Sequence, residues 1–183
     1  MIIQRGYYLI SGALLSVLIL SSCDSASKSN ATLHLYTDSI KEVLIETNQN
    51  LTQTENLRIQ AYINRMKWPM EETGSGLRYW VYQRGEGDSI NQGDVVQVSY
   101  TISLLNGQVC YKSDSSEVQS FKVGMSDVES GLDEAMTYLN VGDYAKLVVP
   151  PHLAHGLLGD RNKIPGNATL VYDLTIVSKG VND

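Results

Sequence analysis

The chain has 183 residues, 43% of them hydrophobic and 19% charged, with a formal net charge of −6. That balance suits a globular core and excludes a nucleic-acid partner held by a basic face, since no Lys/Arg cluster offsets the acidic excess. Cys23, Cys110, His34, His152 and His155 are too few and too badly spaced for a zinc set, so neither metal nor cofactor is expected.

The first residues read as a processing segment. Arg5 supplies a short positive region, and Tyr7 to Leu20 an apolar stretch too short for a permanent span. Leu20-Ser21-Ser22-Cys23 then sets two small residues before a cysteine, the pattern of a bacterial lipobox. Residues 1–22 would be removed and Cys23 would carry the lipid, placing the chain in a bacterial cell envelope, facing the periplasm from the inner or the outer membrane. The plainer alternative is a secretory signal with an incidental cysteine. Several acyl chains on one residue anchor firmly, at roughly 0.8 kcal/mol per buried methylene. With Cys23 lipidated, Cys110 has no cysteine left to pair with.

Residues 23–37 read as a lipidated tether, of which 24–32 are small and polar, as a segment leaving a membrane surface should be. A helical arm is predicted over 38–73. Asp38 or Ser39 can cap it, and Ile40, Val43, Leu44, Leu51, Leu57, Ile59, Tyr62, Ile63 and Met66 recur at interrupted helical spacing. Asn48 to Gln53 is weak helix material, so one helix and two short ones are both open. Trp68-Pro69 should end it. The apolar face can pack on its own domain, or residues 38–67 can join a second copy or an envelope assembly.

From residue 74 the period falls from 3.6 to 2. Leu77, Tyr79 and Val81 begin a strand, and Val96, Val98, Tyr100, Ile102 and Leu104 alternate with polar residues in a second. Asn106-Gly107 predicts a hairpin returning through Val109 to Tyr111, and Phe121 and Val123 another short strand. One helix follows, with Ser126 and Glu129 as a capping box and an apolar stripe of Val128, Leu132, Ala135, Met136 and Leu139, stopped by Gly142. A strand from Tyr144 to Val149, a loop from His152 to Asn167, and a last strand with Leu170, Tyr172, Leu174 and Ile176 on one face complete the domain. The sum is an α+β domain, a curved antiparallel sheet wrapped around one central short helix.

Gly93-Asp94-Val95-Val96-Gln97-Val98-Ser99-Tyr100-Thr101, Phe121-Lys122-Val123-Gly124, Gly131-Leu132-Asp133-Glu134-Ala135-Met136, Val141-Gly142-Asp143, Pro150 through Gly156, and Ile164-Pro165-Gly166-Asn167-Ala168-Thr169-Leu170-Val171-Tyr172-Asp173 occur in the order and spacing of an FKBP domain. Residues 74–178 resemble that family of peptidyl-prolyl cis-trans isomerases, with 179–183 as a tail. Together with the lipobox, the arm and His152 to Asp160, the chain is similar to FKBP-type lipoproteins associated with gliding motility in the Bacteroidetes.

The resemblance implies rotation of X–Pro bonds in proline-containing polypeptides, without nucleophile, metal or cofactor. The uncatalysed barrier is about 18–20 kcal/mol. A pocket that strips water from the amide and fits the twisted form lowers it. By position, the resemblance implies a pocket wall from Tyr100, a helix-start contact at Val128, a floor at Leu132, a backbone N–H and flanking side chain at Ile164, and a ring at Tyr172 in place of phenylalanine. Cys110 falls where an aromatic usually presses on the proline, and Tyr111 where aspartate is usual; a one-residue slip would let Tyr111 supply the aromatic. Gln119 and Glu129 replace apolar rim residues, and His155 a hydrogen-bonding tyrosine. Without the resemblance, Tyr100, Val128, Leu132 and Tyr172 read as plain core and His155 as a surface residue. The altered walls leave two functions open, an isomerase that helps envelope proteins fold and a weak or inactive binding module.

Overall fold

The structure is a computed structural model describing residues 26–113, 118–125 and 127–180, with side chains from Ile40 onward. The leader with Cys23, and Ser126 of the expected capping box, lie outside the described residues. No described helix is long and apolar enough to cross a membrane. The chain divides into two compact units, Met1–Thr52 and Gln53–Asp183.

Helix α1 runs from Ala26 to Met66. It starts well before Asp38, inside the stretch expected to be a tether, and does not break at Asn48 to Gln53. No glycine or proline occurs between its ends, so nothing removes a rung of the hydrogen-bond ladder. Thr47 and Thr52 return their hydroxyls to the carbonyls of Val43 and Asn48. In the first unit Ile40, Val43, Leu44 and Leu51 are exposed. The C-terminal end is closed by Lys67 in the left-handed region at φ 55°, with the N–H of Lys67 on Asn64 O and that of Trp68 on Ile63 O. This paired bonding satisfies the last carbonyls, so the helix stops one residue before the Trp68-Pro69 expected to end it.

Among the described residues, the second unit is built on seven antiparallel strands: β1 Glu71–Glu72, β2 Arg78–Gln83, β3 Val95–Leu104, β4 Val109–Lys112, β5 Gln119–Lys122, β6 Tyr144–Val149 and β7 Leu170–Gly180. Their order is β1-β2-β6-β7-β3-β4, with β5 also paired to β3. Side-chain alternation sets two faces. Val96, Val98, Ile102, Leu147, Leu170, Leu174 and Ile176 face inward and are buried with Leu132, Ala135, Met136 and Leu139. This is the curved sheet around one helix that the period-2 pattern predicts. The opposite face is covered by the end of α1, where Ile59, Tyr62 and Ile63 bury Val148 and Val171. Glu55 accepts from the Thr169 hydroxyl and Asn56 from Arg78, tying the same helical segment to the sheet. Packing on its own domain is therefore the use made of residues 55–63 of the arm.

Helix α2 is only Ser130–Met136. Its N-cap is Glu129, whose side chain makes no cap bond; that carboxylate is engaged elsewhere. Gly142 does not stop the helix, which ends at Thr137. Gly142 instead turns the chain into β6 at φ 87°, where an added Cβ would lie 3.3 Å from Gly85 Cα. A left-handed turn against a neighbouring backbone needs glycine there.

Candidate active site

The concave face of the sheet positions most of the expected pocket residues. Tyr100 on β3 and Tyr172 on β7 project from it with ring centroids 6.4 Å apart and planes at 54°. Leu132 and Ile164, both 3% exposed, join Tyr172 and Cys110 in the same apolar cluster, with Tyr100, Tyr111 and Val128 packed against it. The side chain of Ile164 is thus buried in the cluster that holds Tyr172, while its neighbour Pro165 is exposed. Gln119 lies opposite Val98 in the β3–β5 pairing. Residues directly opposite share a face, so Gln119, which is exposed, stands at the rim of the concave side.

A bulge brings Cys110 and Tyr111 to the same side of β4. Tyr111 pairs with Ile102 but Val109 with Ser103, leaving Cys110 as the extra residue of β4. Such an insertion turns two successive side chains toward one side. Cys110 is buried, its thiol 3.6 Å from the Lys163 carbonyl, and Tyr111 lines the wall beside it. Burial pushes the Cys110 thiol upward, with the Asp160 charge adding to the effect.

The two unusual walls are built from mutually paired substitutions. Tyr111 donates its hydroxyl to Asp160, so a carboxylate supplied by the loop stands beside the position where the resemblance leads one to expect an aspartate. Asp160 Oδ1 also accepts the N–H groups of Asn162 and Ile164, each at 2.8 Å. The Ile164 N–H expected to meet a substrate carbonyl is thus engaged within the loop. These donors favour the charged carboxylate. The Tyr111 hydroxyl is the strongest, and the His155 side chain contributes through space, holding the Asp160 pKa at about 2. On the second wall, Glu129 and His155 Nε2 pair at 2.8 Å. This explains the empty cap at α2: the Glu129 carboxylate reaches across to the loop. Burial raises the Tyr100 hydroxyl above its ordinary value, and the Glu129 charge adds to it. Burial, then the Glu129 charge and hydrogen bonding to Glu129, push Tyr172 well above 10.0, with Tyr100 adding to the effect. The Tyr172 hydroxyl is buried without a hydrogen-bond partner of normal geometry.

Asp160 is the residue of this wall that sequence reasoning passes over. Its signal is an aspartate after glycine in a loop, with Asn162 two residues on, the arrangement in which a carboxylate caps following backbone N–H groups. Replacing Tyr111 by Phe removes the main donor and should move the Asp160 pKa up from about 2 toward the ordinary 3.8. An acid titration followed by the side-chain carboxyl carbon signal checks this, and an unmoved value would contradict the role given to Tyr111. A carboxyl depressed in the fold stabilises it above the unfolded value. The contribution of Asp160 is thus complete above about pH 4 and is lost as pH falls through its folded value.

A family profile for FKBP-type peptidyl-prolyl cis-trans isomerases matches residues 87–177. FK506-binding protein 1A of Neurospora crassa is 37% identical over 109 residues, covering 58% of this chain and 91% of that protein. The FKBP-type peptidyl-prolyl cis-trans isomerase FkpA of Buchnera aphidicola is 33% identical over 129 residues, 68% of this chain; the chain spans about half of that relative's length, 51%. The crystal structure of FkpA from Escherichia coli superposes with a TM-score of 0.62 at 24% identity, covering 95% of this chain and 81% of that one. The concave-face cluster and these relatives agree: the chain belongs to the FKBP-type peptidyl-prolyl cis-trans isomerase family.

Proposed function

We propose that this chain is an active peptidyl-prolyl isomerase, acting by non-covalent twisting of X–Pro bonds in proline-containing polypeptides. The observation that carries this reading is the convergence of Tyr100, Leu132, Ile164 and Tyr172 on one side of the sheet, in or against a single apolar cluster. Amide resonance is favoured by polar surroundings, so an apolar, aromatic wall destabilises the planar forms relative to the twisted one. The nitrogen of the twisted amide carries more electron density, and no covalent chemistry is required. Val128 at the helix start and the Tyr111–Asp160 pair border the same wall, while Cys110 fills the space beneath it.

The proposal extends to place. The Arg5 region, the apolar stretch and Leu20-Ser21-Ser22-Cys23 support a lipid-anchored protein of the bacterial envelope that assists folding of exported clients. The exposed apolar residues Ile40, Val43, Leu44 and Leu51 support association through the first part of α1.

Two-dimensional exchange spectroscopy on a short X–Pro peptide tests the activity. Catalytic amounts of protein should give saturable cis–trans exchange, and the ring signals of Tyr100 and Tyr172 should shift as peptide is added. Shifts confined to Trp80 and Tyr82 on the opposite face, or no exchange with folded protein, would overturn the reading.

A further inference from the structure

Where the resemblance leads one to expect apolar and neutral groups, this pocket holds charge. Glu129 and His155 pair at 2.8 Å with side chains only 17% and 29% exposed, so solvent screens them less than a surface pair. Whichever protonation state the imidazole takes, Nε2 faces the carboxylate, and the pair carries either no net charge or one negative charge. Asp160 adds a second carboxylate on the neighbouring wall, acted on by the same imidazole. The Tyr111 hydroxyl bonds to Asp160, and the Glu129 charge acts on the Tyr100 hydroxyl. The buried Tyr172 hydroxyl, 1% exposed at the residue level, has no partner of normal geometry. The Glu129 carboxylate acts on it through both charge and hydrogen bonding.

The chain itself shows what such a wall accepts. Lys163, from the loop that carries Ile164, places its ammonium 5.0 Å from the centroid of the Tyr111 ring. One tyrosine face beside Asp160 is thus already occupied by a cation, while Glu129 and Tyr100 have no basic side chain of the chain against them other than His155 among the contacts described. An ammonium or guanidinium brought there would gain Coulomb attraction to Glu129 and an aromatic face. An acidic side chain would meet Glu129 and Asp160 and be repelled.

We propose that Glu129 is a specificity-determining residue that selects prolines flanked by lysine or arginine. The inference rests on the isomerase reading and names its substrate class. Its positioning partners are His155, which holds the Glu129 carboxylate, and Asp160, which excludes acidic neighbours.

The test uses the full chain and two sets of proline peptides, one varying the residue before the proline and one the residue after it. In each set lysine is compared with norleucine, which keeps the stem and removes the charge, and with glutamate. At low salt kcat/KM for lysine should exceed that for norleucine by about fivefold at one of the two positions, the order expected of a partly screened ion pair, and glutamate should be slowest. Raising the salt to about 0.5 M should shrink the ratio toward one, because the Debye length contracts to a few ångströms. Glu129→Gln, which keeps size and hydrogen bonding, should remove the preference. Equal rates for lysine and norleucine at both positions would overturn the specificity while leaving the isomerase reading standing. A preference that survives Glu129→Gln would overturn the assignment to Glu129. No acceleration of any peptide by folded protein would overturn both readings.

Discussion

Replacing Asp143 by alanine should lower the unfolding free energy by about 3–5 kcal/mol, a large part of the total for a domain of this size. The Asp143 side chain is wholly buried yet satisfied by three donors. It accepts the N–H of Gly85 at 2.6 Å, the N–H of Asn140 at 2.8 Å and the Arg84 guanidinium at 2.7 Å. These donors come from the end of β2 and from the chain leaving α2, so one carboxylate ties both to the start of β6. Arg84 is 56% exposed and can turn to water. The two backbone N–H groups cannot, and each buried donor left unpaired costs about 1–3 kcal/mol. The approach is tight besides: a Cβ on Gly85 would lie 2.3 Å from the Val141 carbonyl oxygen. Asp143→Asn should be intermediate, since its amide retains one acceptor but turns a donor toward a donor. Urea denaturation followed by tryptophan fluorescence checks this. A loss below about 1 kcal/mol for the alanine variant would contradict the anchoring role.

The largest expected effect on activity comes from Gly159→Ala, which should reduce kcat/KM by about 100-fold, the order associated with a displacement of roughly 1 Å in a site. Gly159 sits at φ 64°, and an added Cβ would lie 2.1 Å from the Ile164 carbonyl oxygen and 2.7 Å from the carbonyl carbon of Pro165. Both obstacles are backbone, so the loop must open, carrying Ile164 away from the aromatic wall and loosening the Asp160 bonds. Gly156→Ala separates this clash from the torsional cost. Gly156 lies at φ 60° but has nothing within 4 Å of the added carbon, so only the left-handed penalty of about 1–2 kcal/mol applies. The expected order is a small loss for Gly156→Ala and a severe one for Gly159→Ala, with urea denaturation confirming that both remain folded. Equal activity of the two variants would contradict the claim that the loop's close packing positions Ile164.

The strands were legible because their alternation is set by a buried concave face: Val96, Val98 and Ile102, or Leu170, Tyr172, Leu174 and Ile176, cannot be shifted by one residue without exposing the core. The hairpin at Asn106-Gly107 was legible for a backbone reason, Gly107 lying at φ 87°. Short elements were not. The two-residue β1 has no period to read, and α2 ends after seven residues because the apolar stripe continues through a tight turn to Leu139, which is buried without being helical. The start of α1 was missed because composition suggested a tether where the absence of glycine and proline allows a helix.

At the site, strand alternation brings Tyr100 and Tyr172 to one face, as the period-2 pattern predicts. The compensating pairs were illegible. Tyr111 with Asp160 and Glu129 with His155 are each separated by tens of residues, and a single sequence records each member as an isolated departure. The bulge at Cys110 was hidden for a related reason: its extra residue is defined by the partner strand, not by β4 itself.

The most direct test of the central claim is refolding of a protein whose slow phase is limited by prolyl isomerisation, a step taking tens of seconds or longer when uncatalysed. The full chain should accelerate that phase in proportion to its concentration, and Gly159→Ala should lose most of the effect. An unchanged slow phase in the presence of folded, unaltered protein would contradict the isomerase account and leave a binding module in its place.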